Sequence, residues 1–363
     1  MNQNIAEFNP NWISSPGATL VDILNQRNVK FADFAVRTKR STSDVAQLLA
    51  GAARLTPDWA EHLVDVVGAS KDFWLRREEQ YRLDIARLNA EAGLDAMNSW
   101  LSELPIKDLA RGHWIDATGS VEEVAQNALA FFGVPTIAAW RQAYGNTLEV
   151  AAYRTSSAYE VHPGAEATWL RQGEIQAQAL DCEPWSKESL FAVLPKVRAL
   201  TRESDPQVFL PELTSIFATA GVALVIEKPP EGCRASGATK FVSDEKALML
   251  LSFRYLRDDQ FWFTVFHEAG HLALHMRDEI FLEGSCSQNP AAEKEANAFA
   301  IEHLFTNHEF DALLTLPLNK FAIARFARRL GISPGIVVGQ LQDLERIPHK
   351  HFNYLKVRYS WGN

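Results

Sequence analysis

The amino-acid sequence predicts a mainly α-helical protein with one small β-sheet, an α+β fold. Three observations carry this. Residues 14–82 are dense in helix start and stop signals. Val222-Ala223-Leu224-Val225-Ile226 and Ala247-Leu248-Met249-Leu250-Leu251-Ser252-Phe253 are β-rich runs of strand length. Between them and the C-terminus, an apolar and aromatic stretch from Gln260 carries polar residues at helical spacing. The 363 residues leave room for two or three domains. The signals divide the chain at 14–82, 83–205 and 206–345: a helical N-terminal module, a helical connecting region, and a C-terminal domain that holds the sheet.

The first module reads as a series of short helices. Pro16-Gly17 precedes an amphipathic run of Leu20, Ile23 and Leu24, and Phe31-Ala32-Asp33-Phe34-Ala35-Val36 is a second helix. Ser41 caps a third that runs to Gly51. Thr56-Pro57-Asp58 opens a fourth through Val67, closed by Gly68, and Asp72-Phe73-Trp74 starts another. Pro16-Gly17, Ala35, Ser41, Val45, Leu49, Gly51, Leu55-Thr56-Pro57, Ala60, Leu63, Gly68, Phe73-Trp74-Leu75 and Gln80-Tyr81 resemble the HigA-like branch of the Xre helix-turn-helix domains. That resemblance implies recognition of operator DNA, often as a homodimer, with Lys39, Arg40, Ser41, Thr42 and Ser43 as the candidate contacts. The sequence departs from the pattern at the turn, where Lys39 replaces the usual glycine at a cost of about 1–2 kcal/mol in a left-handed conformation. Asp44 would repel phosphate. The alternative is a module that binds protein, by dimerisation or by recognising a related repressor.

The connecting region shows helicity and little else. Ser120-Val121-Glu122-Glu123 looks like a helix start with a near-miss capping box, and Phe131-Phe132-Gly133-Val134-Pro135 like its stop. Trp140, Tyr144, Tyr153, Tyr159 and Trp169 fall at irregular spacings, as core anchors do.

The C-terminal domain opens with a helix from Leu213 to Ala220, ended by Gly221, and the strand 222–226 follows. Ala235-Ser236-Gly237-Ala238 reads as a small-residue break before Phe241-Val242, and 247–253 as a strand at the sheet edge. Then comes His267-Glu268-Ala269-Gly270-His271, an HExxH cluster. Histidines at i and i+4 share one helix face about 6 Å apart, close enough to hold one Zn²⁺. Three polar groups in an apolar helix would be stranded unless something paired them, and a metal does so. Glu268 lies beside such a metal as a general base. His275, on the same stripe, is too far along the helix to share the ion and reads as an outer partner or core residue. Glu293-Lys294-Glu295-Ala296-Asn297-Ala298-Phe299-Ala300 resembles the E-x-x-A-[DN] helix of the glutamate-ligand zinc peptidases. On that match Glu293 is the third ligand and Glu295 the alternative.

The order of sheet, HExxH helix and glutamate helix resembles the ImmA/IrrE family of zinc metallopeptidases, with a zincin-like fold over roughly 205–345. Gly237, Leu251-Ser252, Trp262-Phe263, His267-Glu268, His271 and Glu293 through Ala300 carry the match. The resemblance implies a zinc endopeptidase that cleaves an Xre-type repressor in a stress-response, mobile-element or toxin–antitoxin circuit. The competing reading is a DNA-binding regulator whose peptidase fold is a sensor or partner surface. Near the C-terminus, Phe326 to Val338 has the spacing of a second helix-turn-helix with Arg325, Arg328 and Arg329 around it. A helical hairpin packed on the peptidase domain is the preferred reading, and Pro334 at the start of the second helix suits either.

Composition narrows the setting. A net charge of −9 argues against a generally sticky nucleic-acid or membrane binder. No stretch approaches the ~18 apolar residues of a membrane helix, and the N-terminus has no signal-peptide pattern. Cys182, Cys233 and Cys286 are few and odd in number, which points to a reducing cytoplasm and to a metal held by His and Glu.

Overall fold

The computed structural model describes residues 13–89, 93–152, 163–275, 280–282 and 289–361. Tyr153, Tyr159 and Cys286 lie outside these residues. The architecture is mostly helical with one small mixed sheet, as the sequence predicts. The chain divides into two compact units, one formed by the described residues up to Ser102 with Ile106–Gly145, the other by Glu103–Pro105 with Asn146 onward.

In the first unit, α1 (Pro16–Gln26), α2 (Phe31–Thr38), α3 (Thr42–Leu49), α4 (Pro57–Val67) and α5 (Lys71–Asn89) enclose Leu20, Leu24, Phe34, Val45, Leu48, Trp59, Leu63 and Trp74. Ser15, Ser41 and Thr56 cap α1, α3 and α4 through their hydroxyls, each accepting a backbone N–H of the first turn. Lys39 ends α2 with φ 54° and ψ 40°, the left-handed conformation the missing glycine implies. Beyond lie α6 (Gly93–Ser102), α7 (Ile106–Arg111), α8 (Val121–Phe132) and the start of α9 (Ile137–Ala152). The start of α8 is a complete capping box, closer than the near miss expected. Ser120 Oγ accepts from Glu123 N, and the Glu123 carboxylate accepts from Ser120 N at 2.8 Å. Trp100, Phe131, Trp140 and Tyr144 are buried around Phe132.

In the second unit, α10 (Pro163–Gln178), α11 (Lys187–Leu200) and α12 (Pro206–Ala218) precede β1 (Val222–Ile226), β2 (Gly237–Ser243) and β3 (Lys246–Leu251). Then come α13 (Asp258–Leu274), β4 (Phe281–Leu282), α14 (Pro290–Leu304), α15 (Asn307–Leu314), α16 (Lys320–Leu330) and α17 (Pro334–Asp343). The sheet order is β1-β3-β2-β4, with β1 parallel to β3 and the other pairs antiparallel. Val222, Leu224, Met249 and Leu251 face a core built with α11, α12 and α13, while Ala223, Val225, Leu248 and Leu250 face Trp169 and Leu170 of α10. Burial on both faces is why these strands read as unbroken apolar runs.

Two sequence expectations need correction. The 247–253 strand is not an edge: β3 pairs with β1 on one side and β2 on the other. Its continuous apolar pattern is that of a central strand. Residues 237–238 are not a break, since β2 starts at Gly237. The second helix-turn-helix spacing forms α16, a left-handed Gly331 and α17, but Ile336, Val337, Val338, Gln340 and Leu341 are buried. The hairpin packs its second helix inward and leaves no face to read a groove.

α13 is buried nearly all round. Its first turn is fixed by the C-terminal segment. Asp258 accepts from Ser333 Oγ and from Val357 N, and the buried Asp259 carboxylate pairs with Lys356, which also donates to Gln342 Oε1 at 2.7 Å. Burial pushes the Asp258 carboxyl up from its ordinary 3.8 to about 6, reinforced by the Asp259 charge and partly opposed by the Ser333 hydrogen bond. A raised carboxyl pKa contributes stability below pH 3.8 that is lost as pH rises through about 6. The loss is about 2–3 kcal/mol. Asp258→Asn is expected to remove that decline between pH 4 and 6 in urea unfolding followed by tryptophan fluorescence. Parallel profiles for the two proteins would refute the assignment.

Candidate functional site

The site is made where α13 meets α14. His267 and His271 stand one turn apart on α13, as the i, i+4 spacing requires, and both are buried. Gly270 lies between them on the face toward α14. A Cβ there would come within 3.1 Å of Ala296 Cα and 3.2 Å of Phe299 Cβ, so the missing side chain lets the helices approach. That approach brings the α14 carboxylate to the imidazoles. Glu293 Oε2 is 3.2 Å from His267 Nε2, Glu293 Oε1 is 3.6 Å from His271 Nε2, and the two Nε2 atoms are 2.9 Å apart.

The protonation pattern of this group is constrained. His267 Nδ1 faces Asn297 Oδ1 at 2.9 Å, an acceptor, so the ring donates from Nδ1 and keeps its lone pair on Nε2. Burial pushes the His271 imidazole below its ordinary pKa, which favours the neutral ring. Burial alone would raise Glu293, but hydrogen bonds to His267 and His271 and their charge outweigh it and hold the carboxyl well below the usual range. With the His267 proton on Nδ1, its Nε2 lone pair faces a Glu293 carboxylate oxygen at 3.2 Å. A cation among them resolves the conflict. Among the described residues these three are the group whose ligand atoms all lie within 4.8 Å of one another. One nitrogen-rich face and one carboxylate is a donor set suited to zinc.

Glu268 follows His267 and is fully buried. Its carboxylate occupies space that β2 leaves open, for a Cβ on Gly237 would sit 2.3 Å from Glu268 Oε1. Phe281 of β4 stacks on the His271 ring at 4.1 Å with planes 18° apart. Glu295, the alternative third ligand, instead faces His275: its Oε2 is 3.3 Å from His275 Nε2, whose Nδ1 is 3.0 Å from His271 Nδ1. Sequence reading missed two roles here. Gly237 stood in a small-residue run and among the residues of the family resemblance, but its place against Glu268 has no local signal, and Phe281 gives none at all.

The N-terminal candidates lie together at the junction of α2 and α3. Lys39, Ser41, Thr42 and Ser43 are exposed. Arg40 is engaged within its own module, paired with Asp58 and lying over the Trp59 ring at 5.0 Å. Ser41 is the α3 cap and donates to Asp44 Oδ2 at 2.7 Å. From Val45 to Leu49 every residue of α3 is buried, so the exposed part of this helix is its first turn.

Comparison with known proteins bears on both parts. The IrrE N-terminal-like domain of the Peptidase_M78 family matches residues 235–341, which spans β2, the α13–α14 site and α17. An uncharacterized HTH-type transcriptional regulator of Escherichia coli (strain K12), YddM, is 32% identical over 80 residues, covering 20% of this chain and 85% of the relative.

Proposed function

Because the chain belongs to the helix-turn-helix regulators joined to an ImmA/IrrE-type metallopeptidase domain, we propose that it is a zinc-dependent regulatory endopeptidase. Its N-terminal module recognises DNA or a related repressor, and its substrate is an Xre-type repressor in a stress-response or toxin–antitoxin circuit. The observation that carries this is the convergence of His267, His271 and Glu293 beside a buried Glu268. His267, His271 and Glu293 hold zinc, which supplies Lewis-acid polarisation of a peptide carbonyl. Glu268 takes the proton of the attacking water and returns it to the leaving amine. Asn297 keeps the His267 ring in the tautomer whose Nε2 faces the metal position.

With β3 and β2 both flanked by neighbours, the sheet margin beside the site is β4, whose Phe281 stacks on His271, and an extended substrate pairs there. The division of labour follows 14–82 for recognition, 83–205 for connection and 206–345 for hydrolysis. The free thiol of Cys182 suits a reducing cytoplasm, and no helix of the described residues is long and apolar enough to cross a membrane.

Two experiments test the reading. Purified protein is expected to carry one zinc, and Glu293→Ala to lose it by atomic absorption after dialysis; full retention would remove Glu293 from the ligand set. Loss of a co-expressed Xre-type repressor that depends on Glu268 supports proteolysis. The second reading, a DNA-binding regulator with a sensor domain, is favoured by the exposed Lys39, Thr42 and Ser43 and by the named role of the E. coli relative. It predicts salt-dependent retardation of the protein's own promoter DNA with the repressor left intact.

A further inference from the structure

We propose that His275 and Glu295 are positioning residues for His271, forming an outer hydrogen-bonded chain that fixes its tautomer and ring orientation. The proposal rests on the reading of His267, His271 and Glu293 as metal ligands. His275 is the residue at which α13 stops: its backbone turns extended (φ −109°, ψ 173°) while its N–H still donates to His271 O at 3.1 Å. That exit carries the ring back along its own helix toward His271, and the two Nδ1 atoms meet at 3.0 Å. Its ring also contacts Phe281, at 5.0 Å between centroids, so the His271 and His275 rings share one aromatic wall.

The direction of the chain is determined by its ends. If His271 presents Nε2 to the metal, Nδ1 carries its proton and donates to His275 Nδ1. His275 must then carry its own proton on Nε2, and there it meets the Glu295 carboxylate at 3.3 Å. Every link has one donor and one acceptor. The His275 side chain is only 9% exposed whereas that of Glu295 is 63% exposed, so the chain runs from the buried site to the surface. His267 has a different arrangement, with the Asn297 amide oxygen facing its Nδ1. The two ligands are thus held by separate partners, both supplied or completed by α14. This explains why the second glutamate of the Glu293-Lys294-Glu295 run faces the outer histidine while the first faces both ligand histidines.

Removing an outer partner of a metal-bound histidine typically costs about 10–100-fold in metal affinity. The test is zinc affinity of the full chain by competition with a chromophoric chelator, alongside thermal midpoints of the metal-free proteins. His275→Phe keeps the ring against Phe281 but removes the acceptor, and is expected to weaken zinc by about 10–100-fold. His275→Asn keeps an acceptor in place of Nδ1 and should recover most of the loss. Glu295→Ala, on the surface and so harmless to folding, should weaken zinc by about tenfold with the metal-free midpoint unchanged. If His275→Phe and Glu295→Ala both bind zinc as the parent does while Glu293→Ala does not, the outer chain is refuted and the metal site stands. If Glu293→Ala also binds normally, the metal-site reading falls and takes this proposal with it. If His275→Phe does not fold, Glu295→Ala decides alone.

Discussion

Glu268→Gln is expected to lower hydrolysis by about 10²–10⁴-fold while zinc binding stays at the parental level. Glutamine has the same length and nearly the same volume, so it fits the buried space beside Gly237 without displacing the helix. It lacks the one property the site needs there, a carboxylate that accepts a proton. None of the atoms that converge on the cation position belongs to Glu268, so metal content should be unchanged. The measurement is repressor cleavage at saturating zinc, with metal stoichiometry determined on the same preparation. Cleavage at the parental rate would remove Glu268 from the chemistry. Loss of zinc along with activity would make it a structural residue.

Gly237→Ala carries the second large expected effect, from a residue outside the HExxH motif. The new methyl would lie 2.3 Å from Glu268 Oε1 and 2.8 Å from its Cγ, far inside contact distance. Neither side can easily give way. Gly237 is paired with Leu251 in the sheet, and the next residue, Ala238, with both Leu250 and Leu282. Glu268 sits on a helix buried nearly all round. Overpacking of this kind costs about 1–3 kcal/mol of stability. The larger effect is on the carboxylate, since a displacement near 1 Å costs on the order of 100-fold in rate. Zinc should remain bound, because the atoms nearest the added methyl all belong to Glu268 and none to His267, His271 or Glu293. Cleavage assays with and without excess zinc check this. Full activity in the alanine variant would mean that Glu268 works from another position.

Much of this site was legible because it depends on spacing along helices. His267 and His271 had to share a face at i, i+4, and Glu293 and Asn297 had to share another. What spacing leaves open is which of two nearby carboxylates turns inward. Glu293 and Glu295 differ by two positions, so they point to different sides of α14, and the packing of α14 on Gly270 decides between them. The strands were legible as strands for a different reason, their β-rich apolar runs. Their order was not, because a sheet buried on both faces gives no period to distinguish centre from edge. That is how β3 came to be expected at the margin. Gly237 shows a third kind of gap. Its importance lies in an atom it lacks, opposite a residue 31 positions away, and no local pattern records that. The α16–α17 hairpin shows the reverse case, a motif spacing that was present in the sequence with its reading face buried in the core.

The attachment of α13 at its first turn has a consequence for the order in which the molecule is made. Asp259 and its partner Lys356 are 97 residues apart, and Asp258 receives Val357 N from 99 residues away. On a ribosome, the helix that carries His267 and His271 therefore emerges long before the residues that neutralise and cap its foot. Until they arrive, two adjacent carboxylates destined for burial have neither a cation nor a donor from that segment, a state that keeps them in water. The histidine helix can settle into its final place only as the last part of the domain is synthesised. The paired histidines are thus the early half of a site whose helix is anchored by the late part of the chain.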